Sequence, residues 1–510
     1  MCEPTYSLHR ISAILTLCGF MMGMDVTSLV VFLGQDYFNE FFHHPGPLLQ
    51  GTLSAASPVG GLTGCFVYSL LCKRYGRVAL FRAGAVLWVL GSLVGASSLN
   101  IWMVIVSRWV KGIDVGIYSV LLTAYCGEVI ARERKGSTMA FVQCSCSLAV
   151  LTMYCLCAGL NLMRSELSFR LAWGLETVPA VILLLCSVWL PESPVWLSLQ
   201  GRYDLAQHVQ NQLAASYNSI CHGRSQIEVL EKLDLAAALK DESDGFAYID
   251  LFRNGCLRQT LMASSMQLLV QFSGMGILMY YITFICDMIG LEGQIKNLAA
   301  SIPYIISLSL SLLPILFLDQ MRRKDVTLAG GFPLGLIMIS IAAVMYGRGH
   351  RVEPIKGNHS LVWSVDQEGG PFVLALCFLF VSVYALTLSS GPWIYTNEIL
   401  PTRAKSKGLS LSMSIGWLAG AILTLLGPLM MEHLKWATFL LLGSGTLLLS
   451  TLIAFLFPDT RDLTEQQIDM LYAKRDDSSR HEEFPECSDD FPRTAGAGDP
   501  IELIDETTAY

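Results

Sequence analysis

Charge is what this chain has least of. Only 15% of its 510 residues are charged against 53% hydrophobic, and one soluble core cannot hide that much apolar surface, so the solvent for most of the chain is lipid. Cys-x-x-Cys spacing is also missing. Most of the 15 cysteines, including Cys18, Cys65, Cys144, Cys146, Cys155, Cys157, Cys186, Cys286 and Cys377, stand inside apolar runs without convergent His. They are expected as small packing residues rather than disulfides or metal ligands, and the His43-His44 pair as a solvated loop. No nucleophile, base and orienter set and no phosphate loop is apparent, so neither an enzyme nor a cofactor is expected. A cleavable leader is not expected either, because the first apolar stretch carries Asp25 and runs on without an A-x-A-like exit. The formal charge of −8 owes much to the acidic C-terminal end; it points to neither a cationic ligand nor nucleic acid.

What the chain does have is long apolar runs. Windows of about 20 residues with few charges give about twelve candidate spans. They fall around 11-34, 52-72, 78-97, 100-125, 137-160, 170-190, 257-285, 297-318, 326-346, 370-390, 408-430 and 436-457. Basic residues collect in alternate short connections: Lys73, Arg74 and Arg77; Arg132, Arg134 and Lys135; Arg322, Arg323 and Lys324; Arg403, Lys405 and Lys407. By the positive-inside rule these connections and both termini face the cytoplasm. Arg348, Arg351 and Lys356 blur the contrast on the other side, where Asn358-His359-Ser360 offers an N-glycosylation pattern at Asn358.

The charged phrases repeat. Glu128-Val129-Ile130-Ala131-Arg132-Glu133-Arg134-Lys135-Gly136 returns as Glu398-Ile399-Leu400-Pro401-Thr402-Arg403-Ala404-Lys405-Ser406-Lys407-Gly408, each after a long apolar run. Arg74-Tyr75-Gly76-Arg77 pairs at a similar offset with Asp319-Gln320-Met321-Arg322-Arg323-Lys324, and Pro191-Glu192-Ser193-Pro194 with Pro458-Asp459-Thr460-Arg461. Duplication of this kind within a membrane protein is a hallmark of transporters. The predicted organisation is an all-α membrane bundle with an N-terminal six-helix half over 1-190 and a C-terminal half over 257-457. A polar cytoplasmic linker, 191-256, has helix-like pieces at 203-216 and 225-240. An acidic tail over 458-510 is expected to be largely disordered.

Several motifs in order resemble the sugar porter family of the major facilitator superfamily, and its fungal members in particular. They are Pro191-Glu192-Ser193-Pro194-Val195-Trp196-Leu197 with Gly201-Arg202; Gln271-Phe272-Ser273-Gly274 leading to Tyr280-Tyr281; Pro392-Trp393 with Asn397-Glu398-Ile399; and Pro458-Asp459-Thr460 with Leu463-Thr464. The resemblance runs from about residue 10 to 472. It implies two pseudo-symmetric halves rocking about a midplane site, and transport of a sugar or related polyol, proton-coupled or facilitative. A different small molecule, or a non-transporting nutrient sensor of the same fold, are the alternatives. The expected address is the plasma membrane, with a vacuolar or endosomal membrane kept open by the dileucine-like Asp499-Pro500-Ile501-Glu502-Leu503-Ile504.

The resemblance also assigns residues. Asp25 matches the proton-binding position and Arg108 its counter-ion; charge inside a span costs roughly 2.5–3.5 kcal/mol even on lenient scales. Lys111 and Asp114 follow Arg108 at three-residue steps on one helix, so Asp114 is expected to neutralise one of these cations. Gln143, Gln271, Trp393 and Ser307 are the expected substrate contacts, since amides offer a sugar hydroxyl both donor and acceptor. Val270, Gly276, Ser307 and Gly416 replace amides usual in the family. Arg77, Glu128, Arg134, Lys135, Asp319, Arg323, Glu398 and Arg403 match the cytoplasmic gate, whose charges are expected to pair across the halves. Lys73 and Val78 depart from the pattern and make the first lock lopsided.

Overall fold

The computed structural model describes residues 6–33, 36–130, 132–163, 165–218, 247–253, 256–291, 293–353, 362–401 and 404–457. Asn358, Arg403, the 225-240 segment and everything after 457 lie outside them. The described residues are largely helical. The first six passes are α1 (Leu8–Leu33), then after a short α2 (Asp36–Phe41) come α3 (Pro47–Leu71), α4 (Arg77–Ala96), α5 (Ile101–Val129) and α6 (Arg132–Asn161), with the sixth made of α7 (Glu166–Leu175) and α8 (Thr177–Cys186). Helices α9 (Pro194–Leu199) and α10 (Tyr203–Asn218) follow in the linker.

The last six passes begin with a broken one, α11 (Leu257–Phe272), α12 (Met275–Tyr280) and α13 (Ile282–Met288). Then come α14 (Gly293–Ser311) with α15 (Pro314–Phe317), α16 (Arg323–Gly347), α17 (Gly370–Leu386) with α18 (Gly391–Ile399), α19 (Lys405–His433) and α20 (Ala437–Leu456). A small antiparallel hairpin, β1 (Gly349–Arg351) and β2 (Trp363–Val365), joins α16 to α17 with Gly349 opposite Val365. Ten of these passes are long and apolar enough to cross a membrane, and the protein is a multi-pass membrane protein. The other two are α3 and α5. Polar and charged side chains of α5, including Arg108, Lys111 and Asp114, are buried against neighbouring helices instead of facing lipid.

Local chemistry sets the ends. Asn100 caps α5, its side chain accepting from Met103 N–H at 2.9 Å. Ser193 caps α9 by accepting from Trp196 N–H, with Pro194 at the first helical position. Four expected spans are interrupted, among them the sixth at Glu176 and the eighth between Ser311 and Pro314. The seventh breaks after Ser273 because Gly274 takes φ +88°, against Met338 and Leu442, a conformation that glycine alone adopts cheaply. The tenth breaks between Leu386 and Gly391, where Pro392 starts α18. Breaks at membrane depth persist only where protein or a cavity covers the freed backbone.

The charged repeat phrase is also more helical than its composition predicts. Helix α5 runs through Glu128 to Val129 and α6 starts at Arg132, so Glu128, Arg134 and Lys135 ride on helix ends and not in an open loop. Within the first half α3 lies on α5 with backbone nearly touching backbone. A β-carbon at Gly112 would overlap the Ser57 carbonyl, and one at Gly60 the Trp109 carbonyl.

Two seams join the halves. Along α3 and α19, Gly51 faces the Leu425 carbonyl, Gly61 the Trp417 ring, Ser410 donates to the Cys65 carbonyl at 2.6 Å and Cys72 Sγ meets Ser406 Oγ at 3.0 Å. Along α6 and α14, Tyr154 donates to the Asn297 carbonyl at 3.0 Å and Ser147 meets Ser307 at 3.2 Å.

Candidate functional site

A cavity opens between the halves. Gly19 and Met22 of α1, Ser119, Leu122 and Thr123 of α5, and Met139, Val142, Gln143 and Cys146 of α6 form one wall; Ser389, Ser390 and Trp393 form the other. The second wall is the break in the tenth pass, which carries Trp393 to the cavity on the first turn of α18. Ser389 and Thr123 donate their hydroxyls to main-chain carbonyls four residues back, leaving lone pairs free to accept. Trp417 Nε1 donates to Ser119 Oγ at 3.1 Å across the halves. Among the described residues the Gln143 amide has no hydrogen-bond partner, so its donor and acceptor remain for a ligand.

Sequence reasoning therefore brings Gln143 and Trp393 together but not its other two residues. Ser307 is occupied with Ser147, and neither it nor Gln271 is among the lining residues of this cavity. Gln271 lies half-buried against Gly420. One turn earlier, buried Gln267 packs on Gly416 and donates to Thr396 Oγ1 at 3.0 Å. The i, i+4 spacing of Gln267 and Gln271 was the available signal for it. Gly276 has open space where a β-carbon would stand, whereas Gly416 has Gln267.

Behind the cavity lies a buried charge cluster. Asp25 sits 3.3 Å from Arg108 Nη2 and 2.8 Å from Lys111 Nζ, and Lys111 is 2.6 Å from Glu176 Oε2. All four side chains are at most 3% exposed. Arg108 Nη1 also donates to the Asp25 main-chain carbonyl at 3.2 Å, and the Tyr280 hydroxyl from α12 faces the same guanidinium. Lys111 Nζ stands 5.6 Å over the Trp88 ring, whose Nε1 donates to the Glu176 main-chain carbonyl at 2.9 Å.

Asp25 and Arg108 thus meet as expected from the sequence, but the predicted role of Asp114 is corrected. It pairs with neither Lys111 nor Arg108; it lies over Gly84 beside the Tyr118 hydroxyl. Lys111 is turned to α1 and the α7/α8 junction instead. Glu176 was missed, although a lone carboxylate within a membrane span was the signal.

At the end bearing the repeated phrases two clusters of described charges each lie within one half. Arg77 makes a forked contact with Glu128, Nη2 to Oε1 at 2.8 Å and Nε to Oε2 at 3.0 Å. Arg323 reaches Asp319 at 3.8 Å and Glu398 at 3.7 Å and donates to the Leu318 carbonyl. Across the halves stand hydrogen bonds to backbone. Asp319 Oδ2 accepts from Ser137 N–H at 2.9 Å, and Asn397 donates to the Thr123 carbonyl at 3.2 Å. Arg134 is exposed; Lys135 offers its carbonyl to Cys126 Sγ. Glu192 caps α4 by accepting from Arg77 N–H at 2.6 Å and from Val78 N–H. Burial pushes its carboxyl above the ordinary value, against the pull of these donors.

Residues 11–472 match the family model described as "Sugar (and other) transporter". The chain is 40% identical to the probable metabolite transport protein YFL040W of Saccharomyces cerevisiae, over 92% of this chain and 87% of that one. It is 28% identical to high-affinity glucose transporter 1 of Candida albicans, over 92% and 86%. In fold it resembles the proton:xylose symporter XylE bound to 6-bromo-6-deoxy-D-glucose, with TM-score 0.75 and 19% identity over 91% of this chain and 98% of that one.

The buried cluster gives a first test. Glu176→Gln removes one anion and leaves Lys111 and Arg108 sharing Asp25 alone. Loss of one partner from a buried ion pair costs about 3–5 kcal/mol, so the melting temperature of the purified variant in detergent should fall clearly below that of the unsubstituted protein.

Proposed function

The chain belongs to the family of sugar and other transporters, and from that premise we propose that it carries a sugar or related polyol by alternating access of the Gln143 and Trp393 cavity to the two sides of a membrane. The observation that carries this reading is the position of that cavity. It lies between the halves, with an uncommitted amide from one and an indole at a helix break from the other. An amide satisfies a hydroxyl in both senses, and an indole face packs on the apolar side of a sugar ring. Trp393, Ser389 and Ser390 move with the second half and Gln143, Ser119 and Thr123 with the first, so rocking of one half against the other opens the same site alternately to each side.

The end carrying the repeated phrases is proposed to be the cytoplasmic one, with both termini there, and the halves to span 1-190 and 257-457 with the linker 191-256 between. The forked Arg77 and Glu128 pair and the Arg323 cluster then brace each half internally. Closure itself falls to the contacts of Asp319 with Ser137, Asn397 with Thr123 and Cys72 with Ser406. All three must break when the site opens inward.

A second reading has its own observation. Ser307 is engaged by Ser147, and Val270, Gly276 and Gly416 bring no amide, so the cavity has fewer polar groups than a fully hydroxylated hexose needs. A less hydroxylated small molecule fits that shortage.

Three measurements follow from this geometry. Gln143→Ala or Trp393→Ala should weaken D-glucose binding by about 5- to 160-fold, equivalent to one lost contact of about 1–3 kcal/mol; calorimetry showing unchanged affinity would remove the site. Gly276→Asn, which has room for its side chain, should tighten D-glucose binding, and unchanged or weaker binding would favour the less hydroxylated substrate. Asp319→Ala removes a charge-assisted bond worth about 1.5–3 kcal/mol from the closed end. Labelling of Cys72 by a maleimide, read by mass spectrometry, should then accelerate by an order of magnitude or more.

A further inference from the structure

The buried cluster holds four charges, with Glu176 in the place the sequence reading gave to Asp114. Asp25 of α1, Arg108 and Lys111 of α5, and Glu176 at the α7/α8 junction form a chain of contacts at 3.3, 2.8 and 2.6 Å. Two cations face two anions, and the sum is zero. Without Lys111 the remaining three would sum to minus one, and a proton on Asp25 would cancel that excess. With Lys111 in place the same proton leaves a buried excess of plus one.

The cluster also stays together when the halves move. All four residues belong to the first six passes, so rigid-body rocking leaves their spacing unchanged; Tyr280 reaches Arg108 from the second half. Ser28 and Ser57 face the carboxylates of Glu176 and Asp25, and Cys157 of α6 faces Glu176 and Lys111. Asp114, with Tyr118 and Cys18, forms a separate group next to Gly84.

We propose that Lys111 decides ion coupling in this carrier: by completing a charge-balanced tetrad it keeps Asp25 ionised in both facing states, and sugar crosses downhill with no proton accompanying it. Lys111 acts as a positioning residue, through Asp25, and does not touch the substrate cavity. The inference deepens the transport reading above and rests on it.

The test uses purified full-length protein in proteoliposomes holding a pH-sensitive dye, with counterflow of radiolabelled D-glucose followed in the same preparation. The expected result is counterflow indifferent to a proton gradient and no D-glucose-driven pH change. Lys111→Met is expected to gain proton movement, on the order of one proton per sugar. Lys111→Met combined with Asp25→Asn restores charge balance and should lose it again. Proton movement by the unsubstituted protein that Asp25→Asn abolishes would overturn the proposal.

Absence of any D-glucose counterflow would count against the transport reading alone. The tetrad is then decided without substrate, and without relying on the folding of Lys111→Met, by infrared difference spectra between about pH 8 and about pH 5. The protonated-carboxyl band should be the same in the unsubstituted protein and in the double variant. A band present in the former and missing from the latter means that Asp25 takes up a proton, and the proposal fails.

Discussion

A charge held out of water needs a partner, and the first half of this protein is organised around that requirement. Asp25, Arg108, Lys111 and Glu176 come from three passes and are almost entirely buried; isolated, each would be prohibitively expensive inside a membrane. Joined in series they tie α1, α5 and the α7/α8 junction together, and Trp88 of α4 is added through its indole N–H to Glu176 and its ring under Lys111. The close approach of α3 to α5 at Gly60 and Gly112 completes the body. Such bracing suits a rocking mechanism, which requires a half to move as a unit.

The second half follows a different plan. Its passes break where the ligand cavity and the inter-half surface need irregular backbone, at Gly274 and at the Thr387 to Ser390 turn. A continuous helix satisfies its own backbone and offers little but side chains. A broken one places a helix start, here that of α18, beside the cavity and swings Trp393 into its wall. The halves are thus alike in architecture and unequal in role: the first carries the buried charge cluster, the second the breaks beside the cavity.

The same distinction clarifies the gate. Gate charges were expected to pair between halves. Among the described residues Arg77 with Glu128, and Arg323 with Asp319 and Glu398, make internal braces. The cross-half contacts described above are mostly a carboxylate, an amide and hydroxyls meeting backbone groups. Contacts of that kind are weak enough singly to be broken in each cycle, whereas a buried fork such as that of Arg77 holds its own half in shape.

Sequence alone determined the membrane class, the duplication, the order of the passes and three of the four members of the buried charge cluster, because lipid imposes run length and penalises charge locally, residue by residue. It also put Asp25 with Arg108, and Gln143 with Trp393, through motif resemblance. It could not assign Lys111 a partner. Asp114 is its neighbour by helical spacing, yet Glu176, 65 residues away in the chain, is its partner in space, since α5 turns Lys111 toward one helix and Asp114 toward another. Nor could it see that Ser307 is engaged by Ser147 or that Gln267 faces Gly416. Which polar groups are free and which already satisfied depends on how helices distant in sequence pack side by side. Tertiary structure decided that, and with it the charge balance around Asp25.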